Sequence, residues 1–410
     1  MTARLHNLPN GLAIIVDPMP GAQSAAVGLY AAVGSRSEPD GKGGLAHMVE
    51  HMVFKGAGSR DARAIAEAIE DVGGSLNAWT SRDQTAFHAR TLPDDVPLAV
   101  ELIADLVQAP RFDPDELERE KGVILSELGE CRDVPEDLAG DLLFEAAFAG
   151  QPLGRPVIGT EDAIRGFERA DLTAWTTQQL IASRLLLVAT GAVDEDRMLS
   201  LVEARFGDMG AGPPLPAPPA RFIGGERIDR RSSEQAHWSF ALAAPSAADP
   251  ATPATSLFAQ AVGGGMSSRL FQQLREERGL CYSVYSWVQG FADTGVFAVS
   301  AATDRADAPA ALGLARSIVA DAAGTLNEAE LARARAQLKA QLRMSLEGVQ
   351  GRADHHARAY ELFGRIVPLE EALAELRAVD LAAARAAGER LLASPAALAS
   401  VGGGSLALAA

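Results

Sequence analysis

The sequence predicts an α+β protein of two similar domains, each a mainly antiparallel sheet with helices packed on it. Three observations lead there. Hairpin and strand signals recur in both halves among runs of helical periodicity. The apolar run at residues 185–190, ahead of Gly191, is echoed by residues 398–401 ahead of Gly402, 402 − 191 = 211 residues later, as an internal duplication requires. Residues 206–220, FGDMGAGPPLPAPPA, are too rich in Pro and Gly to continue either element and read as a stiff, extended linker. The domains are therefore expected at 1–207 and 225–410, joined by a linker at 208–224.

The elements follow in order. Asn10-Gly11 between Leu5 and the run 12–16 is a hairpin signal, and residues 25–33 read as a further strand. Ser59 is the expected cap of a helix at 60–72, which Gly73-Gly74 stops. Residues 75–80 and 84–91 read as paired strands around a short turn, and 95–107 as a helix with Leu98, Leu102, Ile103 and Leu106 on its inner face. A helix at 113–132 opens with an Asp cap and Pro at its first position. The all-apolar run 185–190 reads as a buried strand that closes the first domain. In the second half, residues 238–243 and 295–302 read as strands. A long helix at 328–347 stands where 113–132 stands in the first half.

The chain of 410 residues is long enough for two domains, each with its own core. Alanine fills its helices, so much of the core is expected to be small-residue packing. A net charge of −17 argues against nucleic acid as a partner, because phosphate binding needs a basic surface; an acidic body favours cationic substrates. Cys131 and Cys281 have no C-x-x-C spacing, which excludes a cysteine-rich metal site, and two isolated thiols suit a reducing cytosol. The start, MTARLHNLPNGLAIIV, meets Pro9 before any apolar run suits a signal peptide. No span approaches the roughly 18 apolar residues of a membrane helix. A cytoplasmic address without membrane association is expected.

The stretch 43–56, GGLAHMVEHMVFKG, places His47, Glu50 and His51 within little more than one helical turn. In a helix, residues four apart share a face, so His47 and His51 can offer ring nitrogens to one ion with Glu50 beside them. The order H-x-x-E-H is the inverted form of a metalloprotease motif. The pentapeptide alone also suits an exposed amphipathic helix carrying two ordinary histidines. A zinc site needs a third protein ligand and leaves the fourth position to water. The best candidate is Glu127 on the helix at 113–132, where Glu120, seven residues earlier, faces the same way. His355 and His356 are adjacent and point about 100° apart on a helix, so they read as surface histidines.

Residues 33–56, VGSRSEPDGKGGLAHMVEHMVFKG, resemble the active-site signature of the pitrilysin-type inverted zincins, in particular the two-domain branch that includes mitochondrial processing peptidase. The separation of His51 from Glu127, 127 − 51 = 76 residues, is similar to that family's spacing between its second histidine and third ligand. Residue by residue, the resemblance implies that His47, His51 and Glu127 hold one zinc ion per chain, that Glu50 is the base, and that Glu120 supports the site. SLNAWT at 75–80 resembles the family's edge strand, onto which a peptide is laid; Asn77, Ala78 and Trp79 would then bind substrate through the backbone. A hairpin with Trp79 in the core explains the same pattern.

At residues 263–286, GGGMSSRLFQQLREERGLCYSVYS, the chain resembles the family's second-half motif, in which an arginine and a tyrosine seven residues later bind substrate and polarise the scissile carbonyl. Arg275 and Tyr282 have that spacing; a surface helix ending at Gly279 before a core tyrosine is the alternative. The resemblance implies a zinc endopeptidase acting on extended peptides or unfolded segments, in which a water activated by Glu50 at the zinc attacks the carbonyl. It also implies a homodimer with its active site shared between chains. The other reading is a non-catalytic assembly or scaffold subunit; such members have typically lost motif residues, and none is lost here.

Overall fold

Asn10 and Gly11 turn β1 (Arg4–Asn7) back onto β2 (Ala13–Pro18), with Gly11 at φ 93°, where only glycine is unstrained. In this computed structural model, which describes residues 3–212, 219–403 and 406–407, four further strands join them. These are β3 (Ala25–Ala31), β4 (Ser75–Thr80), β5 (Thr85–Thr91) and β6 (Leu185–Gly191). The sheet order is β1-β2-β6-β3-β5-β4. Only β2 and β6 run parallel, with Ala13 opposite Leu186; the other pairs are antiparallel. The central β6 is buried along its whole length, as its unbroken apolar run requires. β4 lies at the edge.

The second sheet comprises β7 (Gly225–Asp229), β8 (Gln235–Ala244), β9 (Cys281–Gly290), β10 (Gly295–Asp304) and β11 (Ala396–Val401). Its order is β9-β10-β8-β11-β7, with β11 and β7 parallel. Read from the opposite edge, the first sheet is β4-β5-β3-β6-β2, so order and directions repeat with one strand fewer. This is the duplicated α+β plan. The helix Pro135–Ala147 lies on one face, where Leu143, Phe144 and Ala147 meet Ala241, Ala298, Ala397 and Ala399. Methyl side chains on the strands let the helix approach closely. Thr252–Gly263 and Ala308–Thr325 pack around Trp238, Phe240, Phe297 and Val299 in the larger core.

The chain divides into two units, neither contiguous in sequence. One comprises Met1–Leu128, Pro156–Pro218 and Met344–Pro368; the other comprises Gly129–Arg155, Pro219–Arg343 and Leu369–Ala410. Contiguous halves on either side of 208–224 therefore do not describe the packing, and residues 213–218 of that linker lie outside the described residues. The helix Val349–Phe363 belongs to the first unit, where Ala353 and Ala357 cover Ala13, Ile15, Tyr30, Leu186 and Val188. Its periodicity predicts an apolar face but not which sheet that face covers.

Two local expectations are corrected. The cap of the helix Ala62–Glu70 is Asp61, whose carboxylate accepts the Ala64 N–H at 2.8 Å, and not Ser59. His356 is not a surface residue: it is 0% exposed, with Nε2 2.9 Å from the Asp17 carboxylate. Burial with a charged partner overrides the polar expectation for histidine.

Candidate metal centre

The helix Leu45–Val53 buries Leu45, Ala46, Met48, Val49, Met52 and Val53. Every apolar position is thus turned inward, and His47, Glu50 and His51 are left for the site. Its start is fixed by two devices. Gly44 adopts φ 91°, and a Cβ there would fall 2.5 Å from the Ile158 carbonyl oxygen. The buried Glu38 carboxylate accepts the backbone N–H groups of Gly44 at 2.9 Å and Ala46 at 2.8 Å, satisfying donors that a helix start otherwise leaves open.

The helix Pro114–Asp133 brings Glu127 to this face. Its Oε1 lies 3.7 Å from His47 Nε2 and its Oε2 3.6 Å from His51 Nε2. The imidazole centroids are 4.5 Å apart at 62°, and one donor atom from each of His47, His51 and Glu127 falls within 4.8 Å of the others. Ligands about 2.1 Å from a tetrahedral ion stand roughly 3.4 Å apart, so the donor set fits a zinc ion. Two imidazoles and a carboxylate are also the donor chemistry of zinc centres that keep one position open.

Glu120 supports this arrangement. One carboxylate oxygen accepts from His51 Nδ1 at 2.9 Å and the other from Lys55 Nζ at 2.7 Å. With its proton held on Nδ1, His51 presents a lone pair at Nε2. Burial acts to raise the Glu120 carboxyl, but the hydrogen bonds from His51 and Lys55 outweigh it and the net direction is down. Burial likewise acts to lower His51, and Glu120 with the charges of Glu127 and Glu50 reverses it. His47 has no such partner; burial and the neighbouring His51 push it down to about 4, leaving a neutral ring suited to a ligand.

Glu50 is raised above the ordinary carboxylate range, chiefly by burial. Its Oε2 is buried without a hydrogen-bond partner, and the nearby Thr80 hydroxyl on β4 makes no hydrogen bond of normal geometry. A buried carboxylate oxygen without a partner beside three metal donors suits a water held between them. On the same edge strand Asn77 is exposed, Ala78 buried and Trp79 half-buried against the cluster around Tyr30. The Ala78 N–H donates to the Asn77 side chain at 2.9 Å.

Arg275 and Tyr282 belong to the other unit. Arg275 lies on a π-helical turn, Phe271–Glu276, and Tyr282 at a β-bulge of β9 between Cys281 and Ser283. The guanidinium sits 4.9 Å from the Tyr282 ring centroid and 4.5 Å from that of Phe271. Tyr282 is 78% exposed, unlike a core tyrosine. Both irregularities re-aim side chains where regular structure would turn them away. Sequence reasoning missed Glu38, Lys55 and Thr80. Lys55, four residues after His51, carried a helical-spacing signal; Glu38 and Thr80 reach the site only through tertiary packing.

Residues 14–161 match the profile of the insulinase family, peptidase family M16, and residues 166–338 that of the peptidase M16 inactive domain. An uncharacterized zinc protease of Mycobacterium tuberculosis is 35% identical over 96% of this chain and 91% of its own length. One from Bacillus subtilis is 30% identical over 92% of each. Among solved structures, a peptidase M16 inactive domain from Pseudomonas fluorescens superposes with TM-score 0.91 at 21% identity over 100% of both chains. A protease from Helicobacter pylori gives 0.88 at 20% identity over 97% of this chain and 98% of its own.

Proposed function

The chain belongs to the insulinase family of peptidases, M16, and from that premise we propose that it is a zinc-dependent endopeptidase acting on extended peptides and unfolded segments. The observation that carries the reading is the donor set of His47, His51 and Glu127 with Glu50 beside it, one of whose carboxylate oxygens is buried without a hydrogen-bond partner. These three side chains would hold one zinc per chain, with Glu120 fixing His51 through its hydrogen bond to Nδ1. Zinc, when bound, acidifies a water and polarises the scissile carbonyl. Glu50 would serve as the base that takes a proton from the attacking water and returns it to the leaving amine, a task suited to a carboxyl raised by burial. Arg275 and Tyr282 donate to the carbonyl oxygen as negative charge develops on it.

Substrate adds as a strand to the free edge of β4, so recognition runs mainly through the backbone of Asn77, Ala78 and Trp79. The Ala78 N–H exchanges its bond to Asn77 for one to substrate. Two identical chains about a two-fold axis build two equivalent sites, each taking its zinc from one protomer and Arg275 and Tyr282 from the other. The acidic charge disfavours nucleic acid, and no helix among the described residues is long and apolar enough to cross a membrane. A cytoplasmic enzyme is the reading we adopt. The test is cleavage of a random peptide library read by mass spectrometry, with and without a chelator. Cleavage that the chelator abolishes and added zinc restores supports the proposal; chelator-insensitive cleavage, or none by the zinc-loaded protein, overturns it.

A further inference from the structure

A cavity of about 150 Å³ opens on the second sheet beside the N-terminal end of the helix Pro135–Ala147. None of its lining residues belongs to the metal centre. Its floor is polar. Ser239 on β8 and Ser300 on β10 are buried and share a hydrogen bond of 2.8 Å, and Trp287 Nε1 donates to Ser300 Oγ at 3.2 Å. Apolar residues would cover a sheet face at lower cost, because buried hydroxyls stabilise little beyond what their desolvation costs.

Two aromatic side chains of β9, Tyr285 and Trp287, line the cavity. Trp287 is held from behind by Phe144, with ring centroids 6.4 Å apart at 19°. The Tyr285 hydroxyl donates to the Glu136 carboxylate at 3.0 Å. Glu136 is exposed and makes no ion pair with a basic side chain among the described residues. His237 completes the wall, and burial lowers its pKa, so the ring adds no positive charge near neutral pH. Aromatic faces, an ion-pair-free carboxylate and a hydroxyl floor are the groups that recognise an organic cation.

We propose that this cavity binds an alkylammonium or guanidinium group, with Glu136 as the counter-charge and Trp287 and Tyr285 as the aromatic walls. A cavity of this size admits one such group and its methylene stem and excludes a folded partner. The same chemistry is offered by a basic side chain of a peptide and by a free polyamine. The inference does not rest on hydrolysis, and its failure leaves the peptidase reading untouched.

The test is isothermal titration of the full chain at about 0.15 M salt, where the long-range pull of an acidic protein is screened beyond roughly 8 Å. The probes are N-acetyl-arginine amide, N-acetyl-lysine amide and spermidine, with the neutral N-acetyl-citrulline amide as control. Saturable binding of a cationic probe is expected, at least tenfold tighter than the citrulline amide. Glu136→Gln, which keeps an acceptor for Tyr285, should weaken it about tenfold or more, and Trp287→Leu should do likewise with zinc content unchanged. Tighter binding of the blocked amino acids assigns the site to peptide side chains; tighter binding of spermidine assigns it to free polyamines. No saturable binding, equal affinity for citrulline amide, or undiminished binding by Glu136→Gln overturns the proposal.

Discussion

His51 and Glu120 form one hydrogen-bonded unit, Nδ1 to Oε1 at 2.9 Å, and the second oxygen of Glu120 is taken by Lys55 at 2.7 Å. A carboxylate serves two donors at once; an amide has one acceptor and one donor. Glu120→Gln therefore leaves either His51 or Lys55 facing an N–H group. Zinc affinity should fall by about 10- to 100-fold while the fold is retained. Competition against a chromophoric chelator measures this, and an unchanged affinity refutes the supporting role.

Within the motif the roles separate by readout. Glu50→Gln should keep about one zinc per chain and lose nearly all hydrolysis, because a base is removed and no ligand. Glu127→Ala should lose both. Metal analysis beside a peptide-cleavage assay decides, and full zinc occupancy in Glu127→Ala would show that another residue is the third ligand.

Much of this centre was legible in the sequence because it is local. Three of its groups sit within five residues of one helix, and Glu127 and Glu120 lie two helical turns apart on another. What stayed hidden depends on chain segments meeting in space. Nothing in the spacing of Glu38 and Gly44 announces that one carboxylate will close the helix start, and nothing near Tyr282 announces a bulge. Small-residue packing in the core was legible from composition, but its concentration on strands of the second sheet was not, and neither was the sheet that the helix Val349–Phe363 covers, since amphipathic periodicity specifies a face without its partner.

Gly44 and Gly41 give a controlled pair. Both have positive φ, 91° and 79°, but a Cβ at Gly44 meets the Ile158 carbonyl oxygen at 2.5 Å whereas one at Gly41 meets nothing within 4 Å. Gly41→Ala should cost about 1 kcal/mol, the conformational penalty alone. Gly44→Ala should cost roughly 2–3 kcal/mol or more and also lower zinc affinity by displacing the motif helix. Denaturant unfolding with zinc titration compares them; equal costs refute the steric account.

Shared sites predict complementation. Glu50→Gln and Arg275→Ala should each be nearly inactive, yet their mixture should recover. Random pairing makes about half the dimers mixed, each with one intact site of two, so activity should approach roughly a quarter of wild type. No recovery after subunit exchange has been demonstrated would place both motifs within one chain.

Burial holds the Glu361 carboxyl above its ordinary value of 4.5 despite the opposing charge of Arg358 at 2.8 Å. With the folded value raised, the unfolded chain releases its proton first, so this group's contribution to stability falls as pH rises from about 4.5 through the folded value. Glu361→Gln keeps the Gln84 contact and removes that loss. Its Tm should match wild type near pH 4 and exceed it at pH 7.5 by roughly 2 °C or more; thermal melts showing no gain at pH 7.5 reject this.

The helix Val349–Phe363, which covers the first sheet, also sets a timetable for biogenesis. It leaves the ribosome 363 − 212 = 151 residues after residue 212, a delay of roughly 8–30 s at about 5–20 residues per second. Until then Asp17 and Tyr30, 0% and 2% exposed in the finished protein, lack the His356 and Asp354 that they pair with. The unit synthesised first is thus completed late, and the nascent chain carries an unfinished apolar face for that interval.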